Sequence, residues 1–175
     1  MIKELRTKND PILKQATIHF DFNDQSIKAV DFAALMRYNM CMHRGIGLSA
    51  PQIGYNYSVF CVGNPDVEES VMTFFNPLIV HESVEKTLMD EGCLSFPNLI
   101  LKVKRPKEIR VRYRDETGET KTGKFTGMTA RIIQHEHDHL FGTTFDTRVS
   151  SLMLNKGKSK KKILDRRNKG EQRVR

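Results

Sequence analysis

The sequence predicts an α+β fold in which antiparallel or mixed β-sheets wrap a central helix that carries an HExxH motif. Segments rich in β-branched and aromatic residues follow one another through the middle of the chain, as is typical of a β-rich domain. At about residue 127 the period changes to helical, and His135 and His139 then lie four residues apart on one face of the predicted helix. We expect the strands to surround this helix, which is predicted to be largely apolar.

Ahead of the strands, the sequence predicts an irregular arm and one amphipathic helix. Residues 1–22 contain an Asn-Asp-Pro turn signal and are expected to form the arm. A helix capped by Asn23 or Asp24 is expected to run to about His43, with Gly45 ending it. The predicted apolar stripe of this helix consists of Ile27, Val30, Ala34 and Cys41.

The predicted strands lie between this helix and the HExxH helix. They cover residues 57–64, 71–80, 82–89, 107–115 and 119–125. In the fourth of these, apolar residues alternate with arginines, which indicates a strand with one buried face and one solvated face. Phe96-Pro97 is expected to form a turn.

Length, charge and cysteine content limit the class of protein. A chain of 175 residues suits one domain with its own core. Residues 156–175 hold 10 Lys and Arg against two acidic residues, so this tail accounts for the whole net charge of +8. The charged N-terminus, the odd number of cysteines and the lack of a long apolar run favour a cytoplasmic protein with reduced thiols and no membrane partner. We therefore predict a catalytic domain over residues 1–149 and a basic tail over residues 150–175, for which a disordered, solvated tail is one interpretation.

The HExxH motif indicates metal-dependent hydrolysis. His135 and His139 can bind one metal ion, and Glu136 can take a proton from water. The motif leaves the third ligand open. Cys93 is a candidate because it follows a predicted strand and has Gly92 before it, although a lone thiol is more often a small buried apolar residue.

Three motifs, in this order, resemble the peptide deformylase family. They are GIGLSAPQIG at residues 45–54, EGCLSFP at residues 91–97 and QHEHDHL at residues 134–140, and the resemblance extends over about residues 8–148. The resemblance implies that Cys93, His135 and His139 hold one divalent metal ion. Fe(II) is the native ion that it implies, with Zn, Ni or Co able to substitute.

The resemblance also implies a reaction and a role for each site residue. The reaction is hydrolytic removal of the N-formyl group from the formyl-methionine of nascent polypeptides, with release of formate. Glu136 would be the base, and the Gln52 side-chain amide and the Leu94 backbone N–H would stabilise the oxyanion. The residues implied in substrate binding are Ile46, Gly47, Gly92, Met128 and Ile132. For the apolar members of this set, simple core packing is the alternative.

The resemblance extends to partners and to a supporting ion pair. Formyl-methionyl peptides are the implied substrates, and electrostatic docking of the tail, residues 156–175, on the ribosome is the second interpretation of its charge. Glu91 and Arg105 are expected to pair behind the site. Nothing in the sequence requires more than a monomer.

The chain departs from the family pattern at two places. Ser49 stands where the family mostly has alanine, which we expect to be tolerated. Leu99-Ile100 stands where many bacterial members have an arginine that positions the substrate backbone. Peptide affinity beyond the methionine is therefore open.

Two rival functions remain on the sequence alone. An HExxH zinc peptidase would need a third ligand downstream of the helix, where Asp146 is the nearest carboxylate. A binding module for RNA or the ribosome that has lost catalysis would have no use for the retained Glu136.

Overall fold

The computed structural model describes residues 1–24 and 26–171 and contains an α+β fold. The helices are α1 (Ala29–Met42), α2 (Gly127–Leu140) and α3 (Ser151–Glu171). The strands are β1 (Gly47–Ser49), β2 (Val59–Val62), β3 (Met72–Glu82), β4 (Lys86–Cys93), β5 (Phe96–Pro106), β6 (Glu108–Arg114) and β7 (Thr120–Thr126). Short 3-10 helices cover Pro11–Lys14, Ala50–Ile53, Glu68–Ser70 and Phe145–Arg148.

The strands form one large sheet and one hairpin. The large sheet has the order β1-β2-β3-β6-β7, and β4 pairs with β5 in a separate two-stranded sheet. Every pair of these strands is antiparallel. The predicted α+β class is confirmed, and of the two kinds of sheet allowed for, the antiparallel kind is the one present.

Helix α2 lies between the two sheets because its two faces differ in polarity. Ala130, Ile133 and Leu140 pack against the large sheet, in a core that includes Phe60 and Phe74. On the other face, Arg131 donates hydrogen bonds to the carbonyl oxygens of Thr87 and Val103 in the hairpin, at 2.8 Å each. The central position of this helix is confirmed. The prediction that it is largely apolar is wrong, since one face buries charged groups.

Helix α1 begins later and buries a different face than predicted. The Asp24 side chain accepts a hydrogen bond from the Ser26 backbone, and the helix starts at Ala29. Its buried residues are Phe32, Ala33, Met36, Asn39 and Met40. Val30, predicted on the buried stripe, is 54% exposed. Apolar residues occur on all sides of this helix, so its periodicity is weak and the packing partner selects the face.

The β4–β5 hairpin also differs from the predicted segments. The predicted strand over residues 82–89 is the end of β3, a turn and the first half of β4. Phe96-Pro97 begins β5, and the turn is Leu94-Ser95, with Cys93 paired to Phe96. Cys93 is therefore the last strand residue before a two-residue turn.

The hairpin formed by β6 and β7 follows the predicted alternation. Ile109 and Val111 are fully buried. In the turn, Asp115 accepts hydrogen bonds from the Thr117 backbone, the Thr117 hydroxyl and the Glu119 backbone. Burial raises the pKa of Asp115, but the hydrogen bonds from Lys121 and from this turn outweigh burial and lower it to about 2.

The basic tail forms α3 and packs on β5. Leu154 contacts the core around Phe96 and Phe145, and Gly157 is buried against Leu101. Asn98 donates a hydrogen bond of 2.7 Å to Asp165. Up to residue 171, the structure therefore describes a helix and not a disordered tail.

The predicted tail continues past the end of α3. Residues 172–175 lie outside the described residues. The division of the chain at residue 150 stays a prediction. Within the part that is described, no helix combines the length and apolar character that crossing a membrane requires.

Candidate active site

The three predicted metal ligands converge at one point. The Sγ of Cys93 and the ring nitrogens of His135 and His139 lie within 4.8 Å of one another. The Sγ of Cys93 is 3.4 Å from Nε2 of His139. Both imidazoles are buried, and Cys93 is partly buried. The helix thus presents two nitrogens to the sulfur at the end of β4.

The rival third ligand does not reach this point. The carboxylate of Asp146 accepts a hydrogen bond of 2.6 Å from the Thr144 hydroxyl. Among the residues that the structure describes, the group of possible ligands contains Cys93 and not Asp146. His137, although between the two ligands in sequence, is outside the group and packs on Phe141.

A carboxylate orients the first histidine. Nδ1 of His135 is 2.9 Å from Oε2 of Glu91, and since a carboxylate only accepts, Nδ1 carries the proton. When the ring is neutral, Nε2 of His135 is therefore the nitrogen that can bind a metal. For His139, Nδ1 is buried without a hydrogen-bond partner in the described chain, while Nε2 faces the sulfur.

A buried network of charges holds Glu91. Arg105 donates to both of its oxygens, at 2.7 and 2.9 Å, and Arg131 donates to Oε1 at 2.8 Å. Arg105 also donates to Asp138 at 2.7 Å, and Arg148 pairs with the same carboxylate. The Glu91–Arg105 pair that the family resemblance implied is therefore present. Its side chains are each 4% exposed, so the charges are shielded from water.

Burial and charge shift the pKa of these groups in different directions. Burial raises the pKa of Glu91, but hydrogen bonds from Arg105 and His135 lower it well below its usual range. Burial lowers the pKa of His135, while hydrogen bonds with Cys93 and Glu91 raise it by more. Burial, together with the positive charge of His135, lowers the pKa of His139 well below its usual range. Glu91 is therefore a carboxylate that can hold a proton on His135.

Glu136 lies against the glycine-rich segment. A Cβ atom at Gly47 would be 2.6 Å from Oε1 of Glu136 and 2.6 Å from Cγ2 of Ile132. Oε2 of Glu136 is buried without a hydrogen-bond partner among the described residues. Burial raises the pKa of this carboxyl to about 7, although the positive charges of His135 and Arg105 act to lower it. Only glycine at residue 47 leaves room for this carboxylate.

Hydrogen bonds fix the amide of Gln52. The backbone N–H and the hydroxyl of Ser49 both donate to its Oε1, at 2.9 and 3.0 Å. Nε2 of Gln52 is consequently directed towards Cys93 Sγ, at 3.4 Å, and Ser95 Oγ, at 3.3 Å. A side-chain N–H therefore faces the metal-ligand cluster. Ser49 fits without disturbance and adds one donor to this amide.

The site opens into a cleft of about 540 Å³. Its lining is formed by Arg44, Gly45, Ile46, Gly47, Gln52, Gly92, Cys93, Leu94, Phe96, Pro97, Asn98, Leu99, Ile100, His135 and Glu136. A hollow of about 620 Å³ lies elsewhere, around Arg37 and Glu116, and contains none of the metal-ligand cluster. The chemistry therefore belongs to the smaller cleft.

The predicted substrate residues are only partly brought together. Ile46, Gly47 and Gly92 line the cleft, as does Leu94 in the turn after Cys93. Among the described residues that form the lining, Met128 and Ile132 do not appear. Met128 is 51% exposed, so the core-packing alternative does not apply to it.

The sequence patterns did not predict the roles of Arg131, Asp138 and Ser95. Arg131 lies four residues before His135 and Asp138 lies three after it, so all three share one face of α2. The roles of Arg131 and Asp138 could have been predicted from the sequence, because charged residues at this spacing lie on the same face of a helix that is predicted to be central. For Ser95, nothing in the local pattern distinguishes it from an ordinary turn residue.

The donor set fits a divalent transition-metal ion. One thiolate and two imidazole nitrogens are ligands for Zn(II), Fe(II) and related ions, and three protein ligands leave a position open for water or substrate. The Glu91 carboxylate behind His135 is the kind of supporting partner that such sites have. The residues present therefore suit a catalytic metal site.

Comparisons with known proteins agree with this geometry. The polypeptide deformylase family model matches residues 2–155. A peptide deformylase of Pseudothermotoga lettingae is 37% identical over 147 residues, which cover 83% of this chain and 81% of that protein.

Solved structures show the same similarity. A peptide deformylase from Plasmodium falciparum has a TM-score of 0.83 and 32% identity, covering 95% of this chain and 98% of that one. A class I type b peptide deformylase from Acinetobacter baumannii, solved with Met-Ala-Ser bound, has a TM-score of 0.77 and 30% identity, covering 85% of this chain and 99% of that one. With the metal-ligand cluster, the general base candidate and the fold all in agreement, the chain belongs to the polypeptide deformylase family.

Proposed function

We propose that this cleft removes the N-formyl group from the formyl-methionine of nascent polypeptides and releases formate. As a member of its family the protein is a metal-dependent hydrolase. The observation that carries the assignment of the site is the convergence of Cys93, His135 and His139 within 4.8 Å, beside the buried carboxylate of Glu136.

The side chains around the cluster divide the reaction between them. A divalent ion, held by Cys93, His135 and His139, would supply Lewis-acid activation of water and of the formyl oxygen. Glu136 takes a proton from the attacking water, the formyl C–N bond breaks, and Glu136 returns the proton to the leaving amine. The N–H of Gln52, already directed at the cluster, stabilises the oxyanion together with the backbone N–H of Leu94.

The glycine-rich wall and the hairpin wall hold the peptide. We assign Ile46, Gly47 and Gly92 to its backbone, in the manner of an added strand. A Cβ atom at Gly47 would lie 2.6 Å from Oε1 of Glu136, and one at Gly92 would lie 2.9 Å from Cδ1 of Ile100, so neither position has room for a side chain. We assign the methionine side chain to Ile46, which lines the cleft, to Ile132, which lies against Gly47, and to Met128, one helical turn before Ile132 on α2.

Formate release from formyl-Met-Ala-Ser by metal-reconstituted protein tests the function. Glu136→Ala should retain metal and lose about 10²–10⁴-fold in rate, the usual contribution of a general base. Cys93→Ala and His139→Ala should lose the metal. His137→Ala is the matched control, because this histidine is outside the ligand group and should keep both metal and activity. A wild type that binds metal but releases no formate would contradict the proposal.

We propose Fe(II) as the native ion. The mixed sulfur and nitrogen donor set supports an ion of intermediate softness, a class that also contains Zn(II), Ni(II) and Co(II). Metal analysis of protein purified anaerobically, followed by activity measurements after reconstitution with each of the four ions, tests this choice. If zinc is the ion found and iron adds no activity, the assignment is wrong.

We also propose that α3 docks on ribosomal RNA. Its lysines and arginines outnumber its acidic residues, and Lys158, Lys162 and Arg166 are exposed. Neutralising these three should weaken ribosome pelleting and reduce its salt dependence. A matched control neutralises Lys104, Arg110 and Arg112, which are exposed on the strands. Equal pelleting by both triple variants would remove the proposal.

The monomeric state and cytoplasmic location expected from the sequence stay predictions.

A further inference from the structure

Arg44 has a backbone conformation that residues other than glycine rarely adopt. It lies two residues after the end of α1 and has a φ of 53°, in the left-handed region that glycine adopts without strain. Its backbone N–H closes the helix on the Cys41 carbonyl at 2.9 Å. Strained residues of this kind cluster at functional sites, and Arg44 lines the active-site cleft.

The cleft that Arg44 lines contains little other charge. The rest of its lining is mostly apolar and includes Ile46, Leu99 and Ile100. Glu136 is the carboxylate of the lining, and it lies at the end that holds the metal ligands. In the part of the chain that the structure describes, no ion-pair or hydrogen-bond partner of the Arg44 side chain is found, and the residue is exposed. A cation is thus available at the rim of the cleft.

The short chain from Arg44 to Gly47 limits the distance between Arg44 and the reaction. Gly47 abuts Glu136, and Arg44 is three residues before it. Extended chain spans at most about 3.3–3.6 Å per residue, so Arg44 lies within about 10 Å of Gly47 along the wall. An extended substrate covers the same distance in two to three residues after the formyl-methionine.

We propose that Arg44 selects peptides that carry a carboxylate at the second or third residue after the formyl-methionine. This inference rests on the proposed function. The carboxylate would pair with the guanidinium at the rim of the cleft. Since the pair forms in the bound substrate and in the transition state alike, it acts on KM rather than on kcat.

Amidated peptides test the selectivity without interference from the C-terminal carboxylate. Formyl-Met-Ala-Asp-amide and formyl-Met-Ala-Asn-amide differ in charge and hardly in shape. A second pair of peptides places the same Asp or Asn one position later. In the wild type, one acidic peptide should exceed its neutral partner in kcat/KM by up to about five-fold, the range of an exposed ion pair. The ratio should fall as ionic strength rises.

Variants at residue 44 separate charge from folding. Arg44→Gly suits the left-handed backbone, should fold at least as well, and should bring the acidic-to-neutral ratio to one. Arg44→Glu should invert the ratio, and Arg44→Lys should retain part of it.

The outcomes separate the inference from the function on which it rests. Formate release with equal kcat/KM for acidic and neutral peptides at both positions overturns the role of Arg44 and leaves the activity standing. A preference that survives in Arg44→Gly also overturns it. If no formyl peptide yields formate, the proposed function fails and the role of Arg44 fails with it.

Discussion

Replacing Glu91 by glutamine tests the buried network that holds His135, a predicted metal ligand. Glu91 accepts two hydrogen bonds from Arg105, one from Arg131 and one from His135, at 2.7–2.9 Å. Glutamine has nearly the same shape but one oxygen, so its NH₂ group faces donors. The variant also removes the negative charge that neutralises two buried guanidinium groups.

The magnitude follows from the bonds that are lost. At least two of these charge-assisted hydrogen bonds disappear, and each contributes about 1.5–3 kcal/mol. The resulting loss of about 3–6 kcal/mol agrees with the roughly 3–5 kcal/mol measured when one partner of a buried ion pair is removed. For a domain of this size, 3–5 kcal/mol corresponds to a decrease in Tm of roughly 6–20 °C.

The neighbouring residue provides a matched control. Asp90 pairs with Lys102 at 3.2 Å, and the two side chains are 60% and 53% exposed. Asp90→Asn makes the same chemical change on the same strand and should change stability by at most about 1 kcal/mol. Denaturant unfolding of both variants in the presence of a chelator measures stability without a contribution from metal binding.

A second readout follows the metal itself. Without the Glu91 carboxylate, His135 loses the partner that fixes its ring, and metal affinity should decrease by about 10–100-fold. Asp90→Asn should leave the affinity unchanged. The reasoning is refuted if Glu91→Gln is no less stable than Asp90→Asn, because the network would then contribute nothing beyond an exposed pair.

Two glycines and a turn carboxylate yield three more expected results. Gly47→Ala places a methyl group 2.6 Å from Oε1 of Glu136, so formate release should fall by about 10²-fold while the protein stays folded. Gly157→Ala should destabilise α3, because the added methyl group would lie 2.4 Å from the Leu101 side chain. This clash should outweigh the higher helix propensity of alanine, which favours the helix by about 1 kcal/mol. Faster amide hydrogen exchange in α3 would show the destabilisation. The pKa of Asp115 is lowered from 3.8 to about 2 in the folded protein. The ionised carboxylate therefore contributes to the free energy of unfolding above pH 3.8, and this contribution disappears as the pH falls towards 2. Asp115→Asn should therefore show a smaller loss of Tm over that acid range.

Each of these results has a contrary outcome. Full activity in Gly47→Ala would mean that the glycine-rich wall is not held against Glu136. Slower exchange in Gly157→Ala would show that helix propensity outweighs packing on Leu101. An equal acid-induced decrease in Tm for Asp115→Asn and the wild type would remove the turn carboxylate from the pH dependence of stability.

Local patterns predicted a large part of this molecule. Helix α2 and the β6–β7 hairpin were predictable because their periods are visible within a dozen residues. The spacing of His135 and His139 placed both ligands on one face of that helix. Cys93 needed the family resemblance, since a single thiol has no local pattern.

Features that depend on a partner distant in sequence were the ones mispredicted. The start of β5 was taken for a turn because Phe96-Pro97 resembles one, and pairing with β4 makes it a strand. The buried face of α1 was misassigned since apolar residues surround that helix. The ordered path of α3 depends on its contact with β5 through Leu154 and Gly157.

Spacing along single segments was enough to predict the α+β class, the helix that carries the motif, and His135, His139 and Glu136 as candidate ligands and base. Only contacts between distant segments bring Arg131 and Asp138 together with Glu91 and Arg105 behind the candidate ligands. It also decided that Arg44 lines the cleft. The reason is physical: a charged side chain is buried or exposed according to what packs against it, and in this fold those partners are distant segments of the chain.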